Sequence, residues 1–272
     1  MTDAVVSFAD PACQDVALAG GKGASLAAMA AAGLPVPPGF VVAAGVLEDG
    51  VDAEALRRLA VEGDHAAAQS LVALAEPPVE AIAAAYERLG RGQVAVRSSA
   101  CAEDSQAASF AGQQETYLHV EGVDDVCRRV VDCWASFFSD RALFYRRHKA
   151  EAGDLRVAVV VQRMVDSAKA GVGFTVDPVQ KRRDRMIVEA VVGQGEQLVS
   201  GQATPAHYLV GRDGTLHHEV LANGAVLDAE ELRAVAELGR RVEERFGTPQ
   251  DFEWAIADGQ LYLLQSRPVT TL

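Results

Sequence analysis

Two periodicities divide the chain. Short apolar runs mark strands at Val5 to Phe8, Phe40 to Val42, Val94 to Val96, Arg156 to Val165, Ala170 to Val176 and Met186 to Val192. The run from Arg156 to Val165 is nearly continuous, as a central strand buried on both faces requires, and the two runs after it read as further strands of the same sheet. His207 to Val210 and Leu216 to Leu221 flank Asp213-Gly214 as a hairpin. Helical spacing takes over in residues 52–90, where Leu56, Leu59, Leu71, Leu74, Ile82 and Leu89 recur and Pro77-Pro78 splits the run. Val123 to Phe138, Ser139 to Lys149 and Asp228 to Phe246 read as further helices, the last capped by Asp228. Trp134, Phe137, Phe138, Phe144 and Tyr145 on the first two of these are expected in the core. A helix opens at Gly20-Gly21-Lys22-Gly23, runs through Ala31 and closes at Gly33; Pro35, Pro37 and Pro38 then force an extended lead into Phe40.

Towards the end of the chain the period falls to two. Asp251, Glu253 and Ala255 take one face of a strand, with Phe252, Trp254 and Ile256 on the other, and Gln265 and Arg267 share a face of the partner strand. Two carboxylates on one face repel each other unless a cation sits between them, which suits Mg²⁺ with oxygen ligands. A solvated acidic edge strand is the alternative.

Composition adds constraints. The chain has 272 residues, enough for one large domain or two lobes, and 49% hydrophobic with 23% charged residues is ordinary for a globular protein. A net charge of −13 disfavours nucleic-acid or anionic-membrane binding, so a polyanionic ligand must be met by local cations and metal. Cys13, Cys101, Cys127 and Cys133 form no Cys-x-x-Cys pair, and free buried thiols in a reducing cytoplasm are expected. Neither a signal peptide nor a membrane-length apolar run is visible.

Candidate chemistry clusters in a few places. The strand Val94 to Val96 delivers Arg97 to its end, followed by Ser98, Ser99 and small residues around Ser109, Ala111 and Gly112, which let backbone N–H groups approach an anion. Glu103, Asp104 and Glu115 lie among them, so the stretch is not a simple basic patch. Gly20-Gly21-Lys22-Gly23 at a helix start suits a phosphate, but Val16 and Gly23 stand where a Walker A loop needs Gly and Ser or Thr. The strand end Gln162 to Val165 can edge a purine pocket, its backbone reading the base and Met164 packing on the ring, although an ordinary core strand reads the same way. Glu189, polar within the apolar run Ile187 to Val192, either aims into a cleft or caps an edge.

The stretch from Val94 to Tyr117 resembles the signature of the nucleotide-binding domain shared by phosphoenolpyruvate synthase, pyruvate phosphate dikinase and rifampin phosphotransferase. Gly20 to Leu26, Leu34 to Phe40, Ala170 to Pro178, Gly193-Gln194-Gly195-Glu196 and Gln265 to Pro268 follow in that family's order. Gln194 departs from the apolar residue commonest there. The resemblance implies an α+β, bilobal ATP-grasp fold with ATP and Mg²⁺ between the lobes, here approximately 1–155 and 156–272. It assigns phosphate contacts to Lys22, Arg97 and Arg267, and the phosphate loop to Gly112 and Thr116. Nucleotide contacts fall to Gln162, Met164, Val165 and Glu189, and Mg²⁺ to Asp251, Glu253 and Gln265. In the family a phosphoryl or pyrophosphoryl group passes to a histidine on a separate swivelling domain. No such domain and no acceptor domain is found in this sequence, so the expected partner is a histidine domain, either acting in trans as a separate subunit or belonging to a longer protein of which this chain is an excised part. A stand-alone ATP-grasp kinase or ligase and a non-catalytic nucleotide-binding module are the alternatives. The sequence does not name the final acceptor.

Sharing a metal between Glu253 and Gln265 constrains the terminal hairpin. A two-residue turn at Asp258-Gly259 pairs Glu253 with Leu264 and turns Gln265 away. A three-residue loop, Ala257-Asp258-Gly259, pairs Ile256 with Gln260 and sets Asp251 opposite Gln265 with Glu253 on the same face. The odd-length loop is therefore expected.

Overall fold

The computed structural model describes residues 3–101, 115–139, 156–199, 201, 203–221 and 224–270. They divide into two compact units, Met1–Ala28 with Pro38–Met164, and Met29–Pro37 with Val165–Leu272. Each is α+β, as expected, and is built on an antiparallel sheet.

The first unit contains β1 (Val5–Ser7), most of α1 (Val16–Ala31), β2 (Gly39–Val42), α2 (Gly45–Gly50), α3 (Ala53–Glu62), α4 (His65–Val72), α5 (Val79–Arg88), β3 (Val94–Ala100), β4 (Thr116–Val120), α6 (Val123–Ser136) and β5 (Val157–Arg163). Its sheet has the order β1-β2-β5-β3-β4. Alternate residues of β3 and β5 (Val94, Val96, Val157, Val159 and Val161) join Phe40 and Val42 in a core packed by α2 to α6, with Ile82, Val130 and Trp134 at its centre. Trp134 and Phe138 are buried as expected; Phe144, Tyr145 and nearly all of the helix expected at 139–149 lie outside the described residues.

The second unit contains β6 (Lys169–Phe174), β7 (Arg185–Val192), α7 (Glu196–Val199), β8 (Ala206–Gly211), β9 (Leu216–Val220), α8 (Ala229–Phe246), β10 (Gln250–Ala257) and β11 (Gln260–Pro268). Its sheet has the order β11-β10-β6-β7-β8-β9. The expectation that the run from Arg156 to Val165 shares a sheet with the next two strands is overturned. Both edges of β5 are taken by β2 and β3, while β6 and β7 pair with each other and with β10 and β8. Apolar periodicity reports burial and carries no information about pairing partners. The boundary accordingly falls after Met164 and not at 155, with residues 29–37 joining the second unit.

One face of the second sheet is fixed by aromatic rings seated on glycines. Phe252 pairs with Gly173 and Trp254 with Gly171, and both rings are fully buried. A methyl group at Gly173 would overlap the Phe252 ring, and one at Gly171 would overlap both Trp254 and the Glu189 carbonyl. α8, closed at its start by a capping box between Asp228 and Glu231, packs against β6, β7, β10 and β11. With Phe252 and Trp254 committed to the interior, period two sends Asp251 and Glu253 to the opposite face.

Candidate nucleotide and metal sites

In the first unit Lys22 and Arg97 come near each other along β3, where Arg97 is the central residue of the strand and not at its end as expected. Gly20 has φ 67° and ψ 172°, breaking the helix within α1, and any side chain there would overlap the carbonyl of Ser99. The Ser99 hydroxyl staples the break: Gly23 N–H donates to Oγ at 3.2 Å, and Oγ donates to the Ala19 carbonyl at 2.9 Å. The helical segment after the break thus gains a cap from a strand far away in sequence. Lys22 Nζ donates to the Ser98 carbonyl at 3.1 Å, one residue from Arg97. Ser99 was not singled out from the sequence; the signal was its position two residues after Arg97, on the same strand face.

The face opposite the helical core carries Ala95, Arg97 and Ser99 of β3. Arg97 pairs with Val160 on one side and Thr116 on the other, and Ala95 pairs with Gln162, which is 3% exposed. Lys22, Arg97 and Gln162 therefore share one side of this sheet. Thr116 is the exposed first residue of β4 and not part of a loop, while Gly112 lies outside the described residues. One backbone donor of the strand end expected to read the base is already engaged. The Met164 N–H donates to the Gln93 carbonyl at 2.9 Å and is committed within the fold. Val165, half-buried, falls in the second unit.

In the second unit the terminal hairpin decides the geometry. Asp258 and Gly259 form a two-residue turn with φ 51° and 73°, pairing Ala257 with Gln260, so the odd-length loop is overturned. Two consecutive positive φ values are what a type I′ turn requires, and Asp-Gly supplies them. The pairing continues to Trp254 with Leu263 and then shifts: Glu253 lies opposite Gln265, leaving Leu264 as an extra residue. This β-bulge restores by another route the face-sharing that the two-residue turn removes. Asp251 lies opposite Arg267, not Gln265.

The row extends across the sheet. Gln265 pairs with Glu253, Glu253 with Val172, Val172 with Glu189, and Glu189 with His207. Paired residues share a face, so Gln265, Glu253 and Glu189 project together, away from α8. His207 Nδ1 lies 3.4 Å from Glu189 Oε1. In the next row, Nε of Arg267 donates to Asp251 Oδ2 at 2.7 Å, the carboxylate side chain being 13% exposed and the guanidinium 52%. Burial raises the Asp251 carboxyl above the ordinary range; Arg267 opposes the rise and the charge of Glu253 adds to it.

Two buried polar assemblies support these rows and were not foreseen. Thr175 Oγ1 accepts from the Gln250 N–H at 2.9 Å, and the Gln250 side-chain oxygen accepts from the Ser266 hydroxyl at 2.8 Å, tying β10 to β11 beside Asp251. Burial opposes ionisation of Asp177, but the N–H groups of Gln180 and Val179 and the Arg185 guanidinium outweigh it and hold the carboxyl below its usual range. The cysteines are free thiols, and burial pushes Cys13 up to about 12, leaving no thiolate nucleophile there at neutral pH. No helix among the described residues is long and apolar enough to cross a membrane.

Residues 16–223 and 213–272 match the family model of the pyruvate phosphate dikinase AMP/ATP-binding domain. The chain belongs to that family. A probable phosphoenolpyruvate synthase from Methanothermobacter thermautotrophicus is 40% identical, the alignment covering 100% of this chain and 47% of the relative. A rifampicin phosphotransferase from Streptomyces sviceus is 39% identical over 94% of this chain and 35% of the relative. The chain thus spans less than half the length of these two relatives. A solved D-alanyl-alanine synthetase A from Vibrio cholerae aligns over 90% of this chain and 57% of that one at TM-score 0.41 and 12% identity, too distant to carry an assignment. For this AMP/ATP-binding domain, Lys22, Arg97 and Gln162 are the polar groups gathered in the first unit, and Glu189, Asp251, Glu253, Gln265 and Arg267 those gathered in the second.

Proposed function

We propose that this chain is the ATP-binding, phosphoryl-donating part of a dikinase-type phosphotransferase with an ATP-grasp arrangement, passing a phosphoryl or pyrophosphoryl group from ATP to a histidine on another domain. The observation that carries the reading is the bulge at Leu264, which places Gln265 opposite Glu253 with the Asp251–Arg267 pair in the adjoining row. The donor set suits Mg²⁺. No group of three or more His, Cys, Asp or Glu side chains able to hold a metal is found among the described residues. Mg²⁺ bound with nucleotide, however, needs only one or two carboxylates, the rest of its shell coming from phosphates and water. Glu253 lies one row from Asp251 on the same face, and a dication there would offset the mutual repulsion of the two carboxylates. Glu253 and Gln265 would hold the ion and Asp251 would contact it or its water; when bound, it neutralises phosphate charge.

The chain's own residues supply the rest. Lys22, Arg97 and Arg267 bind phosphate oxygens. Gln162, Met164, Val165 and Glu189 hold the nucleoside, with Gly112 and Thr116 at the phosphates. Phosphoryl transfer requires positioning and charge neutralisation more than covalent help from the protein, and this residue inventory matches that need. The names and lengths of the relatives support a larger assembly, and a histidine-bearing domain is the proposed acceptor, in a cytoplasmic enzyme. Incubation with labelled ATP, Mg²⁺ and a histidine domain from a relative tests the reading. The expected result is label on that histidine, with slow hydrolysis when the chain is alone. Rapid transfer to a small molecule without any partner would favour a stand-alone kinase instead.

A further inference from the structure

Resting on the nucleotide reading above, we propose that Gln93 is a specificity-determining residue for the purine base, and that His119 is the positioning residue that aims it. The starting observation is the committed Met164 N–H. The strand end expected to read the base with its backbone gives that donor to the Gln93 carbonyl, at 2.9 Å. This bond seats Gln93 beside Met164 as β3 and β5 continue their pairing beyond Val94 and Arg163. By the two-residue alternation, Gln93 falls on the same side of the sheet as Ala95 and Arg97. Gln93 and Arg97 are four residues apart, about 13 Å at the rise of a strand, a span comparable to that from the base edge of a nucleoside triphosphate to its phosphates.

The surroundings of Gln93 are shaped with care that an exposed side chain does not otherwise need. Gly90, Arg91 and Gly92, which lead into it, have φ values of 83°, 58° and 85°, and the Tyr86 hydroxyl donates to the Gly92 carbonyl at 2.6 Å. Across the sheet, the β3–β4 pairing shifts between Val94 and Val96, leaving an extra residue on β4. In this bulge His119 takes φ 55°, a left-handed conformation that costs any residue but glycine. The bulge aims the imidazole at Gln93, with Nδ1 at 2.8 Å from Oε1. Both side chains are exposed, and a solvated hydrogen bond returns little net stability to offset strained backbone. The arrangement instead fixes which end of the Gln93 amide is free. With Nδ1–H donating to Oε1, the Nε2 donors turn outward. A donor there matches the N1 acceptor of adenine and opposes the N1–H of guanine or hypoxanthine.

Calorimetric titration of the chain with ATP and with ITP, each with Mg²⁺, tests the proposal. Wild type should prefer ATP by about tenfold or more, the difference between a satisfied and an opposed donor. Gln93→Ala and His119→Gly should each bring the two affinities to within about threefold. Glycine accepts φ 55°, so His119→Gly should melt no earlier than wild type, which separates aiming from scaffolding. His119→Asn, tolerant of left-handed backbone and able to donate, should keep most of the preference. An unchanged ATP-to-ITP ratio in Gln93→Ala and His119→Gly, with ATP binding intact, overturns this inference alone. A wild-type chain that binds neither nucleotide overturns the nucleotide reading and this inference together.

Discussion

β3 and the terminal hairpin each gather the polar groups of their own unit, by opposite means. In the first unit the cations depend on a contact between distant segments: Gly20 lets the chain pass against Ser99, and Lys22 reaches the Ser98 carbonyl. In the second, the oxygens depend on the register of neighbouring strands, with one bulge residue deciding whether Glu253 and Gln265 face the same way. Tertiary contact governs the cations, and local pairing governs the carboxylates and Gln265. The two groups of residues should therefore fail differently under mutation.

The largest expected effect is at the tertiary contact. Gly20→Ala combines a left-handed φ with overlap of the Ser99 backbone, so it should destabilise the first unit by about 3 kcal/mol and abolish ATP binding. Wild-type melting and affinity in that variant would show that the staple is not needed. Next come the charges themselves. Lys22→Ala and Arg97→Ala should weaken ATP binding by roughly 10- to 100-fold without an earlier melt, since a charged hydrogen bond is worth about 1.5–3 kcal/mol. Calorimetry at fixed Mg²⁺ reads this directly, and an unchanged dissociation constant would remove those residues from the site.

Smaller effects separate the register. Asp251 has a raised carboxyl value, so between the ordinary value near 4 and the raised one the folded chain keeps a proton that the unfolded chain has lost. Stability falls as pH climbs through that window and stays lowered above it. Asp251→Asn should thus raise the melting temperature at pH 7 while weakening Mg²⁺-dependent ATP binding; a lower melting temperature would show the Arg267 pair to dominate. In the wild type, Mg²⁺ dependence should fade as pH drops towards the raised value, as the proton competes with the metal. The smallest effect expected is from deleting Leu264. Removing the extra residue makes the hairpin regular and still sets Gln265 opposite Glu253, so Mg²⁺-dependent binding should change by no more than about threefold.

The hairpin also shows how far the sequence could be read. Alternation placed Asp251 and Glu253 on one face, and Phe252 and Trp254 hold them there by filling the space over Gly173 and Gly171. Asp-Gly announced the two-residue turn that forms; requiring Glu253 and Gln265 to meet led to the wrong loop, because a bulge within a strand leaves no local mark in an apolar run such as Leu261 to Leu264. The sheet membership of β5 was hidden for a related reason, since continuous valines report burial and not neighbours. Lys22 and Arg97 were legible as residue types beside small residues. Their meeting was not, because it runs through Ser99 and a glycine break that only the fold brings together.

The most direct test of the proposed MgATP-binding role of these residues is calorimetric titration of ATP into wild type, Lys22→Ala and Glu253→Gln, each with Mg²⁺ and with chelator. The prediction is that wild type binds more tightly with Mg²⁺, that Glu253→Gln loses this difference while keeping the metal-free affinity, and that Lys22→Ala loses affinity under both conditions. Equal wild-type affinity with and without Mg²⁺, unaltered by Glu253→Gln, would contradict the metal assignment on which the site rests.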